Sequence, residues 1–454
     1  METVRGVGRN VTLTNRTRSL VLNVLLSRRF RNIRRWFAEW RRKLTRRRHV
    51  VSVFLELDDP YSYLLSCYLP PLRERYDIDL RIYLAESMGE GYKPRPDMLA
   101  EYAVADCARL ADELGLPFLD RGPTQPVELR RAMLDTLADI AGKAEFIEEV
   151  FQALASYWRG DMDAVRRRTE LPASGDGQQL ILSGQRLLAR LGHYSAATLH
   201  YAGEWYWGID RLHYLTARLD DLGLNRAGSP HPRLVASEQA MKMSLPVTPP
   251  EMARELPPLE FFHSFRSPYS YLGLRQAMDV ADAFGLNLQV RPVLPMVMRG
   301  MKVPRKKLVY IVNDTKRESE RLQIPFGRLA DPVGSGVERL LAVYNYACSE
   351  NKGRDFLLNA GEAIWSQAVD VASDAGMRKI AGRSNLFWPE VVAAMRDDSW
   401  RQSIEQNRES MMASGSWGVP TLRLGDYVVW GQDRIWLLVR HVEELCNTGD
   451  GILR

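Results

Sequence analysis

Two short stretches carry residue types that could hold and activate an anion. Ser267-Pro268 stands where the apolar run Leu259-Glu260-Phe261-Phe262-His263-Ser264-Phe265 gives way to a helical pattern. Serine caps helices well, and proline is preorganised for the first helical position. The free N–H groups and positive dipole end of such a helix favour a thiolate or carboxylate, and a serine hydroxyl can donate a hydrogen bond to it. The ordinary alternative is that Ser267 only caps. Further on, Gly418-Val419-Pro420-Thr421 opens a strand pattern. An X-Pro bond there can be cis, which would expose the Val419 backbone for pairing with an extended peptide; the alternative is a plain turn proline.

The elements that must position these residues are written twice. Pro60-Tyr61-Ser62-Tyr63-Leu64 recurs 208 positions later as Pro268-Tyr269-Ser270-Tyr271-Leu272. Tyr102, Asp106, Arg109 and Pro117-Phe118 recur at the same offset as Tyr310, Asp314, Arg317 and Pro325-Phe326. Trp207-Gly208-Ile209-Asp210-Arg211 recurs 223 positions later as Trp430-Gly431-Gln432-Asp433-Arg434. A fixed order with one insertion is what tandem duplication of a domain leaves behind. Each copy reads strand, turn, helix, strand, a long helical block, a strand pair and a last helix. The expected organisation is a basic extension over residues 1–48, a first repeat over 49–215, a proline-bearing connector over 216–257 and a second repeat over 258–447.

Composition narrows the function. Residues 1–48 hold fifteen Arg and Lys against Glu2 and Glu39, a balance of +13, so with a whole-chain charge of +6 the remainder carries −7. A basic body that grips nucleic acid is therefore not expected. Between Leu20 and Leu44, Leu26, Phe30, Ile33, Phe37, Trp40 and Leu44 fall at helical steps among arginines. Such a helix can lie on an anionic membrane surface, or pack its Trp/Phe stripe on the body and leave arginines in solvent; a transit peptide and a nucleic-acid contact are further readings. Cys67, Cys107, Cys348 and Cys446 form no C-x-x-C pair, so neither a dithiol redox site nor a metal site is expected, and a reducing cytoplasmic setting fits.

In this order, Ser-Pro-Tyr-Ser-Tyr-Leu, a helical insertion, Gly-Val-Pro-Thr and Trp-Gly-Gln-Asp-Arg resemble the DsbA-like thioredoxin superfamily. The branch resembled is that of kappa-class glutathione transferases and 2-hydroxychromene-2-carboxylate isomerases. Val303-Pro304-Arg305-Lys306-Lys307-Leu308-Val309-Tyr310, Asn313-Asp314 and Leu322-Gln323-Ile324-Pro325 are similar to the kappa class in particular. The resemblance covers residues 258–447 well and 50–215 loosely. It implies an α/β chain of two tandem thioredoxin-like domains, each with a helical insertion, and glutathione as cofactor or co-substrate. By position, Ser267 matches the serine that stabilises the glutathione thiolate. Val419 and Pro420 match the residue that pairs with the glutathione cysteine and its cis-proline. Gln432 and Asp433 match the pair holding the γ-glutamyl end, and Lys306 matches a basic residue reaching the glycyl carboxylate. Arg266 departs from the pattern, since relatives commonly carry an uncharged residue before the serine.

The first repeat serves as an internal control. Ser267 corresponds to Asp59, Gly418 to Ser195 and Pro420 to Ala197. An aspartate repels a thiolate. The first repeat is thus expected to keep the fold, to have lost glutathione chemistry and to stand in for the partner subunit of a dimeric relative, leaving a monomer with pseudo-dimeric repeats; the alternative is that it binds a different ligand. The leading expectation is a glutathione-dependent isomerase or transferase acting on a small apolar or aromatic electrophile, with Met296, Met298 and Met301 either lining an adaptable pocket or filling the core. The second is a non-catalytic binding protein carried by its basic helix.

Overall fold

The computed structural model describes residues 19–89, 91–119, 127–170, 173–226, 234 and 241–448. Parts of the expected extension and connector lie outside them. The chain divides into two compact units. One comprises Arg34–Lys242 with Pro304–Tyr310; the other comprises residues up to Ile33, Met243–Val303 and Ile311 onward.

In the N-terminal unit, β1 (Val50–Leu55) forms because Val50-Val51-Ser52-Val53-Phe54-Leu55 is rich in β-branched and apolar side chains, and it is buried from Val51 onward. It pairs in parallel with β2 (Asp79–Leu84) and antiparallel with β3 (Thr198–Tyr201), which forms a hairpin with β4 (Glu204–Trp207). The sheet order is β2-β1-β3-β4. Helices from Pro96 to Leu191 fill the interval between β2 and β3.

The C-terminal unit repeats this plan with β5 (Leu259–His263), β6 (Leu288–Pro292), β7 (Thr421–Leu424) and β8 (Tyr427–Trp430), in the order β6-β5-β7-β8. Every residue of β5 is buried, as expected of a central strand covered on both faces. The helix Pro268–Phe284 follows it and ends at Gly285, whose φ of +72° suits glycine.

The repeated residues make matching contacts in both units. Tyr61 Oη donates to Asp106 at 2.8 Å, and Tyr269 Oη donates to Asp314 at 2.7 Å. Tyr63 Oη donates to the Pro117 carbonyl, as Tyr271 Oη does to that of Pro325. The Gly208 N–H reaches the Ala197 carbonyl at 2.7 Å, and the Gly431 N–H reaches that of Pro420 at 2.9 Å. The shared marks are framework.

Candidate active site

Ser267 is the N-cap of Pro268–Phe284, with extended backbone at φ −97° and ψ 113°. Its Oγ accepts the Ser270 backbone N–H at 3.1 Å and donates to the Val419 carbonyl at 3.3 Å. The Val419–Pro420 peptide is cis. The two candidate stretches thus meet across 152 residues of chain. The Gly431–Pro420 hydrogen bond brings the turn Gln432–Arg434 alongside, with Asp433 on it.

Two glycines permit this approach. A Cβ on Gly273 would stand 3.3 Å from Gln432 Cβ and 3.4 Å from Pro420 Cγ, so the bare backbone lets the helix lie close to both. The corresponding residue of the first repeat is Leu65. A Cβ on Gly418 would fall 2.6 Å from the Trp430 indole, where the first repeat has Ser195. Neither glycine was singled out for this role from sequence, because each answers to a residue distant in the chain.

Other expected residues are placed differently. The Gln432 side chain is buried: its Oε1 accepts from Gln276 Nε2 at 3.0 Å and its Nε2 donates to Glu318 at 3.1 Å. It therefore supports the turn from beneath rather than offering its amide to a ligand. Lys306 belongs to the N-terminal unit, where its Nζ donates to the Ala189 carbonyl at 3.0 Å; the start of the helix Arg305–Arg321 packs there, and Lys307 Nζ likewise donates to the Tyr92 carbonyl at 2.9 Å.

A cation that sequence reading passed over belongs to the same unit as Ser267. Arg299 donates through Nη2 to the Trp417 carbonyl at 3.1 Å, two residues before Val419, while its Nε is buried without a hydrogen-bond partner. Burial, reinforced by Arg408, pulls its pKa down to about 10, so it stays charged at neutral pH. Only the tertiary contact with Trp417 identifies it. Met296, Met298 and Met301 are half-buried, not core. Arg266 is turned to Asp331, with bonds of 2.7 and 2.8 Å. His263, at the end of β5, is buried with no partner for Nδ1, and burial lowers its pKa to about 3.

The N-terminal unit presents different chemistry at the matching place. Asp59 caps Pro60–Ser66, accepting the Ser62 N–H at 3.0 Å, and burial beside Glu56 raises its pKa to about 6. Tyr310 packs edge-on against His193, Tyr194 and Trp207. Beneath the turn, where the C-terminal unit buries Gln276, Glu318 and Gln432, this unit buries Tyr68, Leu110 and Ile209. The polar trio belongs to one unit alone.

Residues 258–443 match the DSBA-like thioredoxin domain family. They form a DSBA-like thioredoxin domain. Relatives similar to this chain include 2-hydroxychromene-2-carboxylate isomerase of Pseudomonas putida, 22% identical over 42% of this chain and 96% of its own length, and human glutathione S-transferase kappa 1, 24% identical over 41% and 91%. Among solved structures, a 2-hydroxychromene-2-carboxylate isomerase aligns with a TM-score of 0.38 and 19% identity, over 43% of this chain and 99% of its own. Within the DSBA-like domain, the Ser267–Val419 contact lies where the helix start and the strand pair converge.

Proposed function

We propose that the DSBA-like domain is a glutathione-dependent isomerase or transferase acting on a small apolar or aromatic electrophile, with its site at Ser267. The observation that carries this reading is the Ser267 Oγ–Val419 carbonyl contact of 3.3 Å at the start of a 17-residue helix. The hydroxyl has one proton and now spends it on a long, neutral hydrogen bond. A thiolate is a stronger, charged acceptor, so Ser267 can turn that proton to sulfur while the Ser270 N–H keeps the oxygen in place.

The residues present suit an anionic tripeptide. The helix start and Ser267 would take the thiolate, the Val419 backbone its cysteine, Asp433 the γ-glutamyl ammonium and Arg299 the glycyl carboxylate. The buried, partnerless Nε of Arg299 supports that last assignment in place of Lys306. When bound, glutathione supplies thiol addition to an electrophilic carbon, ended by product release or by bond rotation and thiol elimination. Met296, Met298 and Met301 offer a soft apolar wall for the electrophile. The relatives named as an isomerase and a glutathione transferase support the same class. A thiol must come from the ligand, since no cysteine stands at the helix start. The reading includes a cytoplasmic monomer whose first repeat fills the place of a partner subunit.

Titrating the full chain with glutathione by calorimetry tests this. Binding near one equivalent is expected, weakened about tenfold in Ser267→Ala, with the bound thiol pKa, read from thiolate absorbance, raised by about one unit. Arg299→Ala is expected to weaken binding without moving that pKa. No binding at millimolar glutathione would sink the proposal.

A further inference from the structure

The helix Arg28–Leu44 turns its apolar stripe outward. Ile33, Trp36, Phe37, Trp40 and Leu44 are 51–68% exposed. They recur at helical spacing and so form one continuous stripe. Arg35 and Arg42 lie half a turn away. Arg35 grips Glu204 through bonds of 2.7 and 2.8 Å, and Arg42 binds Glu39 at 2.6 Å and the Arg47 carbonyl at 2.8 Å. The arginines of that face are engaged by protein acceptors while the aromatic rings meet solvent. This is the reverse of a stripe packed on the body with arginines in water. Arg34, Arg41 and Lys43 flank the stripe and are exposed.

One further feature specifies what covers it. At the end of the helix a cavity of about 480 Å³ is lined by Arg42, Lys43, Arg46, Arg47, Arg48 and His49, opposed by Asp77. Such a cleft suits a phosphate-bearing headgroup. Among the described residues no helix is long and apolar enough to cross a bilayer. Exposed apolar patches of this size mark interaction sites, and tryptophan beside arginine is the composition of a helix lying at a membrane interface.

We propose that Arg28–Leu44 docks in the plane of an anionic lipid surface, its stripe in the headgroup–acyl boundary and the basic cleft on lipid phosphates. The assignment is independent of the glutathione reading.

The test is co-sedimentation of the full chain with vesicles of phosphatidylcholine, with and without about 30% phosphatidylserine, at low and high salt. Binding only to the anionic vesicles is expected, weakening with salt as the charges are screened, together with a blue shift of tryptophan emission. Trp36→Ser/Trp40→Ser should weaken binding at least about tenfold. Both side chains are more than half exposed, so the fold is not at stake; Ile33→Ser/Leu44→Ser is a second variant, and melting curves matching the parent certify both. The proposal is overturned by absence of binding to anionic vesicles, by binding that both variants leave undiminished, or by equal binding to neutral vesicles. A dimer seen by ultracentrifugation and abolished by the substitutions, or nucleic-acid binding without vesicle binding, would overturn it too.

Discussion

Ser267 has a single hydroxyl proton and two partners, and the role of the site turns on which acceptor holds that proton. Its present acceptor, the Val419 carbonyl, is neutral and 3.3 Å away, so exchange for a charged sulfur is downhill. His263, nearby in sequence, has a different consequence. Its pKa in the fold lies near 3 through burial alone, below the ordinary 6.5. The unfolded chain therefore binds a proton between those values that the folded chain refuses. Stability is fully kept above about pH 6.5 and falls as pH drops toward 3, at up to about 1.4 kcal/mol per unit. His263→Phe is expected to flatten that acid limb, as measured by urea midpoints between pH 7 and 4.

At the scale of elements, the helix Pro268–Phe284 and the turn Gln432–Arg434 are joined through Gln276, Gln432 and Glu318. Burying a carboxylate is costly unless its partners stay in place, and Glu318 also pairs with Arg321 at 2.7 Å. Gln432→Ile, which copies the first repeat, should cost about 2–3 kcal/mol because it strips a hydrogen bond from a buried charge. Gln432→Ile/Glu318→Leu, copying two positions, should recover much of that loss in urea unfolding. A double variant no more stable than Gln432→Ile would mean that the trio holds the turn by shape alone.

At the scale of the whole molecule, the two units carry the same Tyr–Asp hydrogen bond in separate cores. Tyr61→Phe and Tyr269→Phe should each cost about 1 kcal/mol, and, lying in separate units, they should add to within about 0.5 kcal/mol in the double variant. A larger deviation in unfolding free energy would reveal coupling between the units. The repeated strands and helix starts were legible because β-branched runs, Ser-Pro and Asp-Asp-Pro act locally, through propensity and capping. The strand pair expected before the last helix of each copy appears as a hairpin, Thr198–Trp207 in one unit and Thr421–Trp430 in the other. Periodicity likewise exposed the amphipathic basic helix.

The sequence by itself determined the α/β order and the candidacy of Ser267 and Val419-Pro420, because those depend on residue type and local spacing. Tertiary structure alone decided which distant groups share a volume. It set Ser267 against Val419, assigned Lys306 to the other unit, found Arg299 beside Trp417, and buried the amide of Gln432. It also turned the tryptophan stripe outward, since the direction a helix faces is fixed by the acids its arginines meet, here Glu204, and not by its own periodicity.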